Sequence, residues 1–112
     1  MPLLFVYGTL QDPDVQREQF GRHVDGRRAR LVGYTLSSVT VEDPAFIEDG
    51  VPEVHAIVIA SGHPEDEVGG LILDLTDDEL ARADAYEPRE YERVSARVAS
   101  GDEVWVYAQP RP

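Results

Sequence analysis

The sequence contains no cysteine and no lysine, and it has no long apolar run. The absence of cysteine excludes a disulfide framework and a thiolate metal site. No apolar stretch approaches the roughly 20 residues that span a bilayer. The N-terminus also lacks a basic segment followed by an apolar stretch and a small-residue cleavage site. We therefore expect a cytoplasmic protein with no membrane partner.

Positive charge is scarce as well, since ten arginines are set against 22 acidic residues and the formal net charge is −12. Nucleic acids and anionic membrane surfaces bind basic faces, so this charge argues against both as partners. With 42% hydrophobic and 29% charged residues, we expect residues 1–112 to fold as a single globular domain. The sequence makes no prediction of oligomeric state.

Hydrophobic patterning predicts about six strands in this short chain. Their ranges are 3–7, 28–37, 53–60, 69–75, 91–99 and 103–109. Residues 38–52 contain two prolines and a glycine and are expected to form an irregular loop. So many strands in 112 residues favour a small barrel or a strongly curled sheet, in which few strand edges are exposed.

Two helices are predicted from their capping residues. Asp12 is a suitable N-cap, and Pro13 fits the first helical position. Thr76 and Glu79 have the spacing of a capping box at the start of the second helix. This helix must end before Pro88, because proline disfavours the α conformation of the preceding residue. The predicted class is thus α+β.

The second helix places a carboxylate on the side that faces the core. Leu80, Asp84 and Glu87 share this side, and Glu87 lies at the C-terminal limit of the helix. Partial burial and the negative end of the helix dipole both disfavour the charged form, so we predict a raised pKa for Glu87 and a possible role as a base. The alternative is an ordinary ion pair between Glu87 and Arg89 or Arg93.

Two segments carry a family resemblance that covers nearly the whole chain. The stretch "FVYGTL" near the N-terminus and "DAYEPREYERV" some eighty residues later resemble the signatures of the γ-glutamylcyclotransferase-like, or AIG2-like, superfamily. A glycine-aromatic pair, Gly33-Tyr34, also follows the pattern. The sequence departs from it at Ala83, where leucine is usual, and at Ile72, where an aromatic residue is frequent. Both departures put the identity of the substrate in doubt.

The resemblance implies a small mixed β-barrel flanked by two helices and a cavity lined by matching residues. These are Tyr7, Gly8, Thr9, Leu10 and Glu87. Tyr107 resembles a family position that can face the cavity, with core packing as the alternative. The characteristic reaction of the family is an intramolecular cyclisation: the α-amine of a γ-glutamyl compound attacks its own γ-carbonyl, releasing an amine and 5-oxoproline.

We therefore predict an enzyme, with Glu87 as general acid and base and the amides of the Tyr7–Leu10 turn as the substrate-binding donors. A non-catalytic module that binds a small carboxylate is the alternative. A third option is a related acyl-transfer or amide-cleaving step on a larger substrate. The predicted partner is a small molecule. No cofactor is expected, and no metal either, because His23, His55 and His63 are scattered.

Three further side chains have open roles in the sequence. Tyr91 is placed near the mouth of the cavity or in packing. Arg93 is expected to form a structural ion pair with a nearby acid. Trp105 is expected in the core or in an interface.

Overall fold

The computed structural model describes residues 2–46 and 51–110. Seven strands form one sheet in this part of the chain. They are β1 Leu3–Val6, β2 Arg27–Val32, β3 Tyr34–Val41, β4 Glu53–Ala60, β5 Glu67–Asp74, β6 Glu92–Arg97 and β7 Glu103–Ala108. Two α-helices accompany the sheet, α1 Pro13–Phe20 and α2 Asp77–Tyr86, together with short 3₁₀ turns at Thr9–Gln11 and Pro44–Phe46.

The strands follow the order β2-β5-β1-β7-β4-β3, and β6 pairs with β7 beside this path. The pairing is mixed: β7 runs parallel to both β1 and β4, and the other ladders are antiparallel. The sheet curls until β2 meets the end of β6, through a bridge between Leu31 and Val98 and a hydrogen bond from the Ala99 amide to the Arg30 carbonyl at 2.9 Å. The predicted curled mixed sheet with two helices is confirmed.

The predicted strand 28–37 is in fact two strands. The break falls at Gly33, whose φ of +82° is a left-handed conformation that glycine adopts without steric cost. Strand β3 then continues to Val41, so the first residues of the predicted loop 38–52 are regular β structure that pairs with β4. Residues 47–50 of that predicted loop lie outside the described residues.

Alternation along the strands separates two buried clusters. On β1, Phe5 belongs to a cluster drawn from the strands and from Val98 just after β6, and this cluster fills the interior of the curl. Leu4 and Val6 point the other way and pack with residues of both helices. Strand β7 alternates in the same manner, with Val106 inside the curl and Tyr107 on the helix side. Strand β1 is therefore covered on both faces.

Candidate active site

Strand β1 ends in a tight turn at Gly8 to Leu10. After Tyr7 the chain enters the Thr9–Gln11 3₁₀ turn, in which the Gln11 amide donates to the Gly8 carbonyl at 3.1 Å. Among the hydrogen bonds of residues 2–46 and 51–110, none is donated by the amides of Gly8, Thr9 or Leu10. Amides released in this way at a strand end can bind an anion.

Gln16, a buried glutamine of α1, holds this turn through a hydrogen bond to its backbone. Gln16 on α1 is 1% exposed; its Nε2 donates to the Leu10 carbonyl at 2.9 Å, and its Oε1 accepts from the Val24 amide at 2.9 Å. On the other side, the hydroxyls of Thr9 and Tyr86 lie 2.9 Å apart, which connects the turn to the end of α2. Both ends of the Gln16 amide are used, so it carries no cost of an unpaired buried polar group.

The Tyr7 hydroxyl occupies a place in the backbone ladder between β4 and β7. Val58 pairs with Ala108 in parallel register, and the Gln109 amide donates to the Val58 carbonyl at 3.0 Å. The matching bond on the other side would join the Val58 amide to the Tyr107 carbonyl. Instead the Val58 amide donates to the Tyr7 oxygen at 3.2 Å, and the Tyr7 hydroxyl donates to the Tyr107 carbonyl at 2.6 Å.

The C-terminal end of helix α2 places Glu87 near the turn after β1. Thr76 and Glu79 form the predicted capping box at its start, and Glu87 is the C-cap, with extended φ and ψ of −71° and 141°. The last turn of α2 contains no basic residue. Burial raises the pKa of the Glu87 carboxyl from 4.5 to about 7. The charged form is disfavoured because the buried site supplies less solvation than water does.

The alternative of an ion pair for Glu87 is not what the structure has. Arg93 instead binds Asp84, with Nε 2.7 Å from Oδ1 and the terminal nitrogen 3.2 Å from Oδ2. Arg89 donates from its side chain to the Glu42 carbonyl at 3.4 Å. The expected structural ion pair of Arg93 is thus present, and it leaves Glu87 without an arginine partner among the described residues.

All six residues predicted for the site line one cavity of about 360 Å³. These are Tyr7, Gly8, Thr9, Leu10, Glu87 and Tyr107. Tyr91 lies in the wall as well, its hydroxyl donating to the Ala56 carbonyl at 2.5 Å. The structure thus brings the turn after β1 and the end of α2 to one cavity that is partly open to solvent.

One wall of the cavity was missed by the sequence interpretation. It consists of Glu53, Val54, His55 and Ala56 at the start of β4. The Glu53 carboxylate and the His55 ring lie 2.9 Å apart in this wall. The sequence predicted β4 as a strand. It did not predict that β4 pairs in parallel with β7, because this pairing joins distant segments, and that pairing brings the start of β4 to the cavity.

A second, more open hollow of about 540 Å³ adjoins the cavity and shares Glu87, Tyr91 and Tyr107 with it. Its outer wall includes Trp105, which is 37% exposed rather than buried in the core. The Arg93 guanidinium carbon lies 4.4 Å from the centre of the Trp105 ring, a cation–π contact. Arg93 therefore binds both an acid and an aromatic face.

Within residues 2–46 and 51–110, no three histidine or acidic side chains are grouped so that they could hold a metal ion. Neither helix in the described part of the chain is long and apolar enough to cross a membrane.

Residues 4–112 match the family model of the γ-glutamyl cyclotransferases, AIG2-like. AIG2-like protein A of Arabidopsis thaliana is 31% identical over 100 residues, which are 88% of this chain and 53% of that protein. The chain thus spans about half the length of this curated relative.

Solved structures show the same fold. A solution structure of an Arabidopsis thaliana protein has 25% identity and a TM-score of 0.72, and the match covers 96% of this chain and 61% of that one. A structure named as a γ-glutamyl cyclotransferase has 18% identity and a TM-score of 0.68, over 98% of this chain and 67% of that one. At this identity the second likeness shows the fold alone.

Proposed function

The chain belongs to the γ-glutamyl cyclotransferase, AIG2-like family, and from this membership we propose that it cyclises a small γ-glutamyl compound. The α-amine of the substrate attacks its own γ-carbonyl, a new C–N bond closes the five-membered ring, and the bond to the leaving amine breaks. The products are 5-oxoproline and a free amine. The reaction consumes no water, and we expect it to take place in the cytoplasm.

The observation that carries this proposal is the position of Glu87. Its carboxyl lines the same cavity as the free turn amides, and its pKa is raised to about 7 by burial. A group with a pKa near the working pH both accepts and returns a proton efficiently. A module that only bound carboxylates would gain nothing from a second negative group inside its cavity.

The turn amides suit the substrate's α-carboxylate. Gly8, Thr9 and Leu10 offer backbone donors without a positive side chain, which allows a chain of net charge −12 to hold an anion. The backbone of Gly8, with φ of −124° and ψ of −138°, lies outside the regions that residues with a Cβ prefer, which favours glycine at this position. A Cβ built at Gly8 meets no atom within 4 Å, so the space beside the turn is open, and we assign this space to the ligand.

Glu87 then acts as both base and acid. The α-amine of the substrate is mostly protonated at neutral pH, so ionised Glu87 first accepts a proton from it. The neutral amine attacks the γ-carbonyl, and protonated Glu87 gives its proton to the nitrogen of the leaving amine as the bond to that nitrogen breaks. The ring nitrogen still carries one proton too many, and Glu87, ionised again, accepts it and passes it to the released amine. Holding the flexible γ-glutamyl chain bent inside a cavity of about 360 Å³ lowers the entropic part of the barrier.

The test is the release of 5-oxoproline from a panel of γ-glutamyl amines and amino acids. Glu87→Gln keeps the shape but cannot carry the proton, so we expect turnover to fall by a factor on the order of 100 or more. Glu18→Gln makes the same change at an exposed site on α1 and serves as the control. Unchanged turnover in the Glu87 variant would refute the proton-transfer role. Thermal stabilisation by 5-oxoproline with no turnover of any compound would favour the binding module instead.

A further inference from the structure

Strand β3 has a neighbour on one side only. Among residues 2–46 and 51–110 it pairs along its whole length with β4 and with no other strand. The register of this ladder is continuous, so no bulge interrupts the strand. The outer edges of β2 and β6, by contrast, approach each other and join through the bridge between Leu31 and Val98. The curl of the sheet therefore leaves the edge of β3 open.

The amides and carbonyls of Leu36, Ser38 and Thr40 point away from β4. Val58 lies opposite Leu36, and its carbonyl accepts from the chain after β7; Ala56 lies opposite Ser38, and its carbonyl accepts from a tyrosine hydroxyl. These are therefore the non-hydrogen-bonded pairs of the ladder, which alternate with the bonded ones. In the described part of the chain, no hydrogen bond is made by the outward groups of β3.

The sequence of β3 has none of the features that keep an exposed edge from pairing. It reads YTLSSVTV, with no charged residue and no proline. The strands β2 and β6 read RRARLV and ERVSAR, so the other two outer strands each carry several charges. Charged side chains and prolines on an edge strand discourage pairing with another chain. In a sequence with 29% charged residues, an uncharged edge is thus suited to a strand partner.

Two apolar side chains beside this edge are exposed to solvent. Leu36 is 59% exposed, and Val54 on β4 is 70% exposed. Val54 lies opposite Thr40, and the alternation of β3 places Leu36 and Thr40 on one face of the sheet. A strand added along β3 extends this face, so its pairing buries apolar area as well as backbone groups.

We propose that a second copy of this chain pairs through its own β3 with β3, in antiparallel direction, around a twofold axis at Ser38. Tyr34 is buried, and the amide of Gly33 before it donates to the Asp66 carbonyl at 2.8 Å. The start of β3 is therefore occupied within the chain, and the open edge covers residues 35–41. Ser38 is the centre of this segment, which places the axis there.

The twofold arrangement satisfies the outward backbone groups of both copies. Ser38 exchanges two hydrogen bonds with Ser38 of the second copy, and Leu36 exchanges two with Thr40 of the second copy. Side chains that lie opposite each other in such a ladder are on the same face of the sheet. The exposed Leu36 of each copy therefore gains the Thr40 side chain of the other copy as a neighbour.

Charge favours a second copy as the occupant of this edge. Two chains of net charge −12 repel each other, and β3 is a surface through which they meet without acidic side chains. One strand from each copy makes a small interface, so we expect a weak dimer with a Kd of roughly 10–100 μM. Salt screens the repulsion between the copies, so the dimer should become tighter as the salt concentration rises.

Sedimentation equilibrium of the whole chain, in about 0.05 M and about 0.5 M salt, measures this association. Ser38→Asp places two carboxylates opposite each other at the axis and should raise the Kd by roughly fivefold or more. Ser95→Asp adds the same charge at an exposed position of β6 and is the control, with an expected change below about twofold. The side chain of Ser38 is exposed, so both variants should keep the wild-type midpoint of urea unfolding.

Cysteine variants test the register, because the chain has no cysteine of its own. With the axis at Ser38, Ser37 of one copy lies opposite Val39 of the other in a non-hydrogen-bonded pair, with Cα atoms about 4.5 Å apart. A disulfide can bridge this distance, so a mixture of Ser37→Cys and Val39→Cys proteins should form a linked dimer under mild oxidation. Either variant alone should link far more slowly, because its two equivalent Cα atoms are about 8 Å apart.

Three results would each overturn the proposal. The first is a chain that sediments as a monomer at a concentration of about 1 mM in the higher salt. The second is equal association of Ser38→Asp and Ser95→Asp, which would place the contact on another surface. The third is a mixture of the two cysteine variants that links no faster than either variant alone. The cysteine experiment does not involve Ser38→Asp, so it decides the matter even where that variant does not fold.

Discussion

The hydroxyl of Tyr7 donates a hydrogen bond to the carbonyl of Tyr107 at 2.6 Å, although the two residues are 100 positions apart in the chain. Because the same oxygen accepts from the Val58 amide at 3.2 Å, one side chain replaces a direct bond between β4 and β7. The strands are thereby held apart next to the cavity. Tyr7 was predicted as a substrate-binding residue; its hydroxyl has this structural bonding in addition.

Tyr7→Phe should therefore lower stability by about 1–3 kcal/mol, since it leaves a buried amide and a carbonyl without partners. Urea unfolding at pH 7 measures the loss. Tyr34→Phe is the control, because it makes the same change inside the curl. Equal unfolding midpoints for the two variants would show that the Tyr7 hydroxyl is not a required part of the ladder.

Glu87 makes stability depend on pH in a predictable direction. Its folded-state pKa of about 7 lies above the ordinary 4.5, so between these values the native state holds a proton that the unfolded chain has lost. Stability should fall as pH rises through this window, by up to roughly 3 kcal/mol at completion. Glu87→Gln should abolish this component and be the more stable protein at pH 8. Urea unfolding of both proteins at pH 5 and pH 8 measures the difference, and identical pH dependences would contradict a buried, proton-retaining carboxyl.

The same pKa predicts the pH profile of the reaction. In the proposed reaction Glu87 of the free protein must be ionised to accept a proton, so kcat/KM should rise with pH and level off above about 7. Release of 5-oxoproline measured between pH 5 and pH 9 tests this, after allowance for the ionisation of the substrate. A profile that is flat from pH 5 to pH 8 would exclude Glu87 as the base.

Gly8→Ala should weaken substrate binding at the turn. A Cβ at this position meets no protein atom within 4 Å, but φ and ψ of −124° and −138° are unfavourable for alanine, so stability should fall by about 1–3 kcal/mol while the protein stays folded. We expect KM to rise by about tenfold or more, because the methyl group would enter the space assigned to the carboxylate. Gly69→Ala is the matched control, since a Cβ there also meets nothing within 4 Å and the residue lies outside the cavity. Wild-type kinetics in Gly8→Ala would contradict binding at the turn.

Gln16→Glu should destabilise the turn after β1, because it removes the hydrogen bond from Gln16 to the Leu10 carbonyl. The substitution keeps the shape of the side chain but places an oxygen against the Leu10 carbonyl, where Nε2 now donates at 2.9 Å. We expect a loss of about 1–3 kcal/mol in unfolding free energy, because a buried acceptor loses its donor. Gln19→Glu, on the same helix and less buried, should change stability much less. Similar losses in both variants would show that the hydrogen bond from Gln16 to the Leu10 carbonyl contributes nothing specific.

Local chemistry made the helices predictable from the sequence. Asp12 accepts from the Asp14 amide at 2.8 Å, and Thr76 and Glu79 form both halves of a capping box, because these contacts depend on residues two or three positions apart. The cavity residues on the turn after β1 and at Glu87 were predicted through the family resemblance, and the raised pKa of Glu87 from its place on the helix. Burial is the cause of that rise, as predicted.

The features that the sequence did not predict depend on strand pairings between distant segments of the chain. The division of the predicted strand 28–37 follows from the left-handed turn at Gly33, and the extension of β3 follows from its partner β4. Likewise, the Glu53–Ala56 wall exists because β7 exchanges its neighbour β1 for β4 where β1 ends. These are contacts between distant parts of the chain. The hydrophobic periodicity of a strand does not reveal with which distant strand, or in which register, it pairs.

The ion pair between Arg93 and Asp84 has a consequence for the strength of the nearby acid. Arg93 borders the same outer hollow as Glu87, and an unoccupied guanidinium there would favour the carboxylate and make Glu87 more acidic. Asp84, which lies about one helical turn before Glu87 on α2, pairs with this guanidinium and so reduces its effect on Glu87. The ion pair of Asp84 thus helps to keep the pKa of Glu87 high.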